Sequence, residues 1–395
     1  VPSPVLLASI GLFVSLGAAL LGACGGPGSA VGGPSDRDPT GGPSTGAGGG
    51  GQPTALRPAS GLLFGTPIYD GDFADPFVLV DGDTFYAYAT NTTDANLPVL
   101  RVRNSPLAEY HGDAFPELPG WSEPGFVWAP AVVRIDDSFV LYYTTRVRGT
   151  EMQCISRAVA DGPLGPFVDE SEAPMICQED LGGSIDPSVV TDADGVRWLL
   201  FKNDGNCCGM ATSIWSQRLS ADGLAVQGHP HELLAADAAW EGELVEGPSM
   251  IRDGDTNLLF YSGNDWSSEH YGIGWARCTS PAGPCEKGSG TGPWMDSTTF
   301  ARGPGGQEFF EAVGETWMVY HGWAKGEAGR SGAQRRLYLD IVETDGDAPR
   351  RVGGPRSWTV AIPVVTGLAA VVGALAYWRW KRRRHLEGRD GPPAR

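Results

Sequence analysis

One unit occurs five times along this chain, and that repetition constrains the fold more than any other feature. Each copy runs from a small or acidic residue through proline into an apolar strand, a charged turn and an aromatic strand. The copies are "ADPFVLVDGDTFYAYATN" from Ala74, "WAPAVVRIDDSFVLYYTT" from Trp128, "IDPSVVTDADGVRWLLFKN" from Ile185, "VEGPSMIRDGDTNLLFYSGN" from Val245 and a divergent "GGQEFFEAVGETWMVYHGW" from Gly305. Their prolines, Pro76, Pro130, Pro187 and Pro248, recur every 54 to 61 residues, too long a period for a helical solenoid. A further strand leading into a Pro/Gly turn follows each copy, as in "SRAVADGPLGPF" and "WARCTSPAGPC". Units of this length with about four strands each are propeller blades. The chain is therefore expected to be all-β, a five-bladed β-propeller over residues 61–348, with the leading residues of each blade gathered at one mouth of a central channel.

Composition supports the same class, because 57 Gly, 31 Pro and 13 Trp in 395 residues suit turn-rich antiparallel sheet. The formal charge of −18 argues against nucleic acid as a partner, since a phosphate backbone calls for a basic surface. Nothing in the pattern calls for an oligomer, and a monomer is expected.

Both ends fall outside the repeats. Residues 1–24, "VPSPVLLASIGLFVSLGAALLGAC", read as an apolar secretory signal ending in a lipobox, which would make Cys24 the lipidated residue. The Gly/Pro/Ser-rich stretch 25–60 cannot bury apolar surface and reads as a tether. After a short linker at 349–357, residues 358–378 form an apolar run long enough to span a bilayer. The basic tail 379–395, beginning "RWKRRRH", places that end in the cytoplasm and the propeller on the extracellular face of the membrane.

An outside location lets the remaining six cysteines pair. Cys278 and Cys285 flank a short turn and Cys154 and Cys177 bracket an outer hairpin, so these two bridges are expected. Cys207 and Cys208 show neither CxxC nor His/Cys metal spacing and read as structural.

The blade openings carry Asp75, Ala129, Asp186, Glu246 and, in the divergent copy, Gly306 or Gln307. Gathering three carboxylates in one funnel is electrostatically unfavourable, which points to chemistry more than packing. Glycosidic cleavage uses such a set: one carboxylate as base or nucleophile, one carboxyl kept protonated as acid, and a neighbour that separates their pKa values.

At these motifs the chain resembles glycoside hydrolase family 43, five-bladed propellers acting on arabinose- and xylose-containing polysaccharides. The resemblance spans the whole propeller. It implies that Asp75 of "ADPFV" is the general base, Asp186 of "SIDPS" the modulator of the acid, and Glu246 of "VEGPSM" the general acid. It also implies inversion, with the base and acid carboxyls roughly 6.5 to 9.5 Å apart to admit a water. Glu246 is then expected to hold its proton through the nearby charge of Asp186. Trp128 is a candidate sugar platform or a core residue between blades; His321 of "VYHGW" and Arg336 of "RRLYLD" fall at pocket positions of the family. Many relatives carry "GPGH" at the fifth blade where this chain has "GPGG", so a channel calcium ion is doubtful, with Gln307 or His321 as substitutes acting through water. No other cofactor is implied. Retaining fructosidase-type propellers would show "NDPNG", "RDP" and "EC" motifs in place of these. A non-catalytic glycan-binding propeller would be expected to have lost at least one acid.

Overall fold

The computed structural model describes residues 65–352, apart from 104–107, 313 and 345–347. The proposed signal and lipobox with Cys24, the tether at 25–60 and the span at 358–378 lie outside the described residues. Among the described residues no helix is long and apolar enough to cross a membrane.

Five antiparallel sheets follow one another along the chain. Blade one is β1 (Phe77–Asp81), β2 (Thr84–Tyr88), β3 (Pro98–Val102) and β4 (Glu109–Asp113). Blade two is β5 (Ser122–Ile135), β6 (Ser138–Val147) and β7 (Gln153–Ala160). Blade three is β8 (Ser184–Thr191), β9 (Arg197–Asn203), β10 (Ser213–Leu219) and β11 (Val226–Ala235). Blade four is β12 (Val245–Asp253), β13 (Thr256–Gly263), β14 (Gly272–Cys278) and β15 (Cys285–Lys287). Blade five is β16 (Arg302–Ala312), β17 (Glu315–Trp323), β18 (Arg336–Thr344) and β19 (Pro349–Arg351).

Two details differ from the sequence expectation. Blade two has three strands, its outer edge completed by single bridges from Val168 to Val159, from Ile176 to Ile155 and from Gly183 to Gln153. Blade five runs past residue 348, because the stretch expected to start a linker pairs as β19 with β18.

The innermost strands β1, β5, β8, β12 and β16 neighbour one another in a closed ring. Strand alternation explains why the ring is stable. Along β6, Leu141 and Tyr143 pack toward blade one while Val140 and Tyr142 pack toward blade three. Along β13, Leu259 and Tyr261 face blade three, whereas Leu258 and Phe260 face blade five. Each blade is thus apolar on both faces, and the five seams between blades hold five separate buried clusters. Fully burying one such large apolar side chain contributes about 1.5–3 kcal/mol. The last seam is tied down by the segment before β1, where Ile68 N–H donates to Leu337 O at 2.8 Å and Phe73 N–H to Arg335 O at 2.7 Å.

Both expected disulfides form, Cys154–Cys177 and Cys278–Cys285. Cys207 and Cys208 bond to each other within the 3-10 turn Gly205–Cys208.

Candidate active site

Each inner strand carries a left-handed residue at its mouth end: Asp75 (φ 48°), Ala129 (44°), Asp186 (59°), Gly247 (55°) and Gly306 (57°). Such backbone is strained for any residue but glycine, and for the last four it falls within a break in the inner-strand register. The fourth blade therefore differs from the sequence alignment. Its counterpart of Asp75 and Asp186 is Gly247, and Glu246 sits one residue earlier, at the level of Ala74, Trp128, Ile185 and Gly305. A one-residue step in a strand reverses the direction of the side chain. Glu246 thus leaves its strand on another side than Asp186 does.

A second ring lies opposite the first, formed by the second-strand residues Thr90, Thr144, Lys202, Ser262 and His321. At four of the five seams this residue accepts the N–H of the next blade's left-handed residue. Ala129 donates to Thr90 Oγ1 at 3.0 Å, Asp186 to Thr144 Oγ1 at 3.0 Å, Gly306 to Ser262 Oγ at 3.0 Å and Asp75 to His321 Nδ1 at 3.1 Å. Lysine has no acceptor, so at the seam between blades three and four Gly247 N–H donates instead to Asp186 Oδ2 at 2.9 Å.

Asp75 lies at the seam between blades five and one. Burial pushes its carboxyl up, but Arg335 at 3.6 Å and the Thr90 hydroxyl donating to Oδ2 at 2.6 Å outweigh burial and hold it below its ordinary value. His321 is fully buried and, through that burial and then the charge of Arg335, is pushed down to about 3. It is therefore neutral at working pH and adds no charge beside Asp75. Because Nδ1 accepts from Asp75 N–H, the ring proton is assigned to Nε2.

Glu246 lies at the seam between blades three and four. Lys202 Nζ donates to its Oε2 at 3.1 Å and Tyr271 OH to its Oε1 at 2.8 Å. Burial first, then the charge of Glu246, keeps the Tyr271 hydroxyl protonated far above its ordinary value. The same ring stacks on His321 with centroids 5.9 Å apart and so links the two seams. Asp186 is pushed up to about 8 by burial and then by the charge of Glu246. The two carboxyls have an uneven share of donors: Glu246 receives a cation and a phenol, whereas Asp186 receives one backbone N–H.

Trp128 pairs with Thr144, is half-buried and belongs to none of the buried clusters, its nearest ring being Phe126 at 6.0 Å. Arg336 does not reach the mouth; it pairs with Asp70 and Glu327. Arg335 stands beside Asp75 instead, because consecutive residues entering β18 point to opposite faces. Its guanidinium also lies 4.8 Å from the centre of the Trp266 ring, which is 45% exposed and stacked on Trp323. Arg335, Trp266, Tyr271 and Lys202 were not singled out from sequence, although laying the five copies in register shows lysine where the others have Thr, Ser or His.

A side chain at Gly306 would put its Cβ 2.7 Å from His321 Nδ1 and 2.8 Å from Asp75 Oδ1, so the glycine makes room for the His321–Asp75 contact. Calcium takes six to eight oxygen ligands. Here the neighbourhood offers one imidazole, one Asp75 carboxylate whose oxygens already face Arg335 and Thr90, and a Gln307 amide already engaged by Ser262 and Gly247 O. Among the described residues no group of three or more His, Cys, Asp or Glu gathers as a metal site. These residues do not fit a calcium ion.

Comparison with known proteins agrees with this geometry. The family model for glycosyl hydrolases family 43 matches residues 64–348. An extracellular exo-alpha-(1->5)-L-arabinofuranosidase of Cellvibrio japonicus (strain Ueda107) is 22% identical over 276 residues, covering 62% of this chain and 73% of its own. A beta-D-galactofuranosidase of Aspergillus niger is 24% identical over 239 residues, covering 56% of this chain and 65% of its own. The solved structure of a thermostable family-43 glycoside hydrolase matches with a TM-score of 0.65 at 26% identity, over 77% of this chain and 97% of that one. Since the family match runs from before the first blade into the last, the chain belongs to glycosyl hydrolase family 43 and is a glycosidase.

Proposed function

We propose that this glycosidase cleaves arabinose- or xylose-containing poly- or oligosaccharides with inversion, arabinofuranosides being the first substrates to try. The single observation that carries the mechanism is the unequal treatment of the carboxyls. Arg335 holds the Asp75 carboxyl below its ordinary value, while burial and then the charge of Glu246 push Asp186 up to about 8. Asp75 takes a proton from water as that oxygen bonds to the anomeric carbon; the bond to the leaving oxygen breaks, and Glu246 supplies the proton that oxygen needs. Trp128 and Trp266 are the aromatic surfaces offered to sugar rings. The substrate class rests on relatives named for arabinofuranosyl and galactofuranosyl bonds.

The test is proton NMR of the first-formed anomer, on substrates chosen from a panel of arabinofuranoside and xyloside chromogens, arabinan and arabinoxylan. Inverted product on an arabinan-derived oligosaccharide is expected. Retained configuration would mean that Asp75 attacks the sugar directly.

The propeller is further proposed to work outside the cell, tethered through the apolar stretch 358–378 and lipidated Cys24. Protease added to intact cells should release the propeller and spare the tail; a protected propeller would overturn that placement.

A further inference from the structure

The Lys202 position is where the repeat breaks its own rule. Thr, Ser or His at this level ties each blade to the next with one hydrogen bond, and any of them would serve the seam between blades three and four. The chain instead buries an ammonium with no exposed surface. An unpaired buried charge is strongly destabilising, so the surroundings must answer it. They do: Nζ donates to Glu246 Oε2 at 3.1 Å and to Asn206 Oδ1 at 2.6 Å, and Asp204 Oδ1 lies at 3.7 Å. Glu246, Asp204 and Asp186 together keep it protonated in spite of burial. Asn206 belongs to the exposed 3-10 turn Gly205–Cys208, so the lysine is capped from the solvent side by the residue next to the Cys207–Cys208 bond.

We propose that Lys202 is a positioning residue for the general acid: it fixes the carboxyl of Glu246 at the channel mouth and sets the pH at which that carboxyl gives up its proton. This rests on the assignment of Glu246 as the acid. The charged and titratable groups facing Glu246 are Lys202 from β9, Tyr271 from the segment before β14, Asp186 from β8 and Asp204 beyond β9. Lys202 is the one cation among them. An ammonium beside a carboxylate favours its ionised form, so removing it makes proton loss harder.

The experiment compares Lys202→Met, Lys202→Arg and Glu246→Gln on a natural oligosaccharide and on an aryl glycoside with a good leaving group, with pH profiles of kcat/KM for the lysine variants. Lys202→Met should lose about 100-fold or more on the natural substrate and under about tenfold on the activated one. Its basic limb should move to higher pH by about one unit or more. Lys202→Arg should recover most of the loss and return the limb toward its original position. Should Lys202→Met fail to fold, Asn206→Ala removes only the cap and should show a smaller change in the same direction. A Glu246→Gln enzyme impaired equally on both substrates overturns the acid assignment itself. A Glu246→Gln enzyme that spares the activated substrate, beside lysine and Asn206 variants that lose both substrates equally with an unmoved limb, overturns the role of Lys202 alone.

Discussion

The seams between blades five and one and between blades three and four present the same backbone to the channel, yet they carry opposite electrostatics. At the first, Asp75 is enclosed by an arginine, a hydroxyl and a neutral imidazole, and its carboxyl is held low. At the second, Lys202 pairs with Glu246, and burial and then the charge of Glu246 push the Asp186 carboxyl up to about 8. Burial acts upward on Asp75 and Asp186 alike; at Asp75 the Arg335 cation outweighs it, whereas at Asp186 the charge of Glu246 adds to it and outweighs Lys202. A repeated scaffold can therefore supply a base and an acid from similar strands by changing a neighbour two strands away.

The largest effect should come from breaking the Asp75 side. Asp75→Asn removes the proposed general base, so kcat/KM should fall by about 10²–10⁴ on natural and activated substrates alike. A good leaving group cannot rescue it, which separates this variant from Glu246→Gln. Persistent activity on the activated substrate would show that Asp75 is not the base.

Next in size is Arg335→Met. Arg335 holds the Asp75 carboxyl low, so its loss lets burial prevail and Asp75 needs a higher pH to ionise. The acidic limb of the kcat/KM profile should move up by about one unit, together with a loss of roughly tenfold to 100-fold. Lys202→Met is expected to move the opposite, basic limb. If both variants moved the same limb, the division between the two seams would be wrong.

The fold was legible because its cause is written at fixed intervals. Pro76, Pro130, Pro187 and Pro248 mark the bulged openings, and alternating apolar strands mark blades buried on both faces. Asp75 and Asp186 could be placed because each directly precedes its proline. Glu246 stands two residues before Pro248, and counting from the proline would have shown that Gly247, not Glu246, shares their backbone position. Sequence alone does not tell Arg336 from Arg335, because which face of β18 a residue takes is settled by where pairing begins. That point is fixed by Ile68 and Phe73, far away in sequence. Lys202 and Tyr271 could not be read from the motif, because they reach Glu246 from other strands or loops.

The smallest expected effect tests whether the acid pair is special or whether any carboxyl in the channel is pushed up. Glu308 belongs to neither seam. From β16 it accepts Ser188 Oγ at 2.8 Å and the Ser249 hydroxyl, joining three inner strands. Burial lifts it to about 7 although these donors pull it down. A carboxyl whose value is raised in the folded state keeps a proton that the unfolded chain has released. Between its ordinary 4.5 and about 7 the native state binds more protons, so stability falls as pH rises through that window. Glu308→Gln abolishes this titration while its amide can still bond to both serines. The stability of the variant relative to wild type, from urea midpoints, should therefore rise by on the order of 1 kcal/mol between pH 4.5 and 7.5, a figure reduced for partial solvent screening. A decline caused by Asp186 should persist in the variant up to about pH 8, because that carboxyl is untouched. Both pH limbs of kcat/KM should stay in place, since neither seam has lost a charge. A difference between variant and wild type that is flat across this range would mean that Glu308 ionises normally inside the channel, and that burial alone does not explain the raised carboxyl of Asp186.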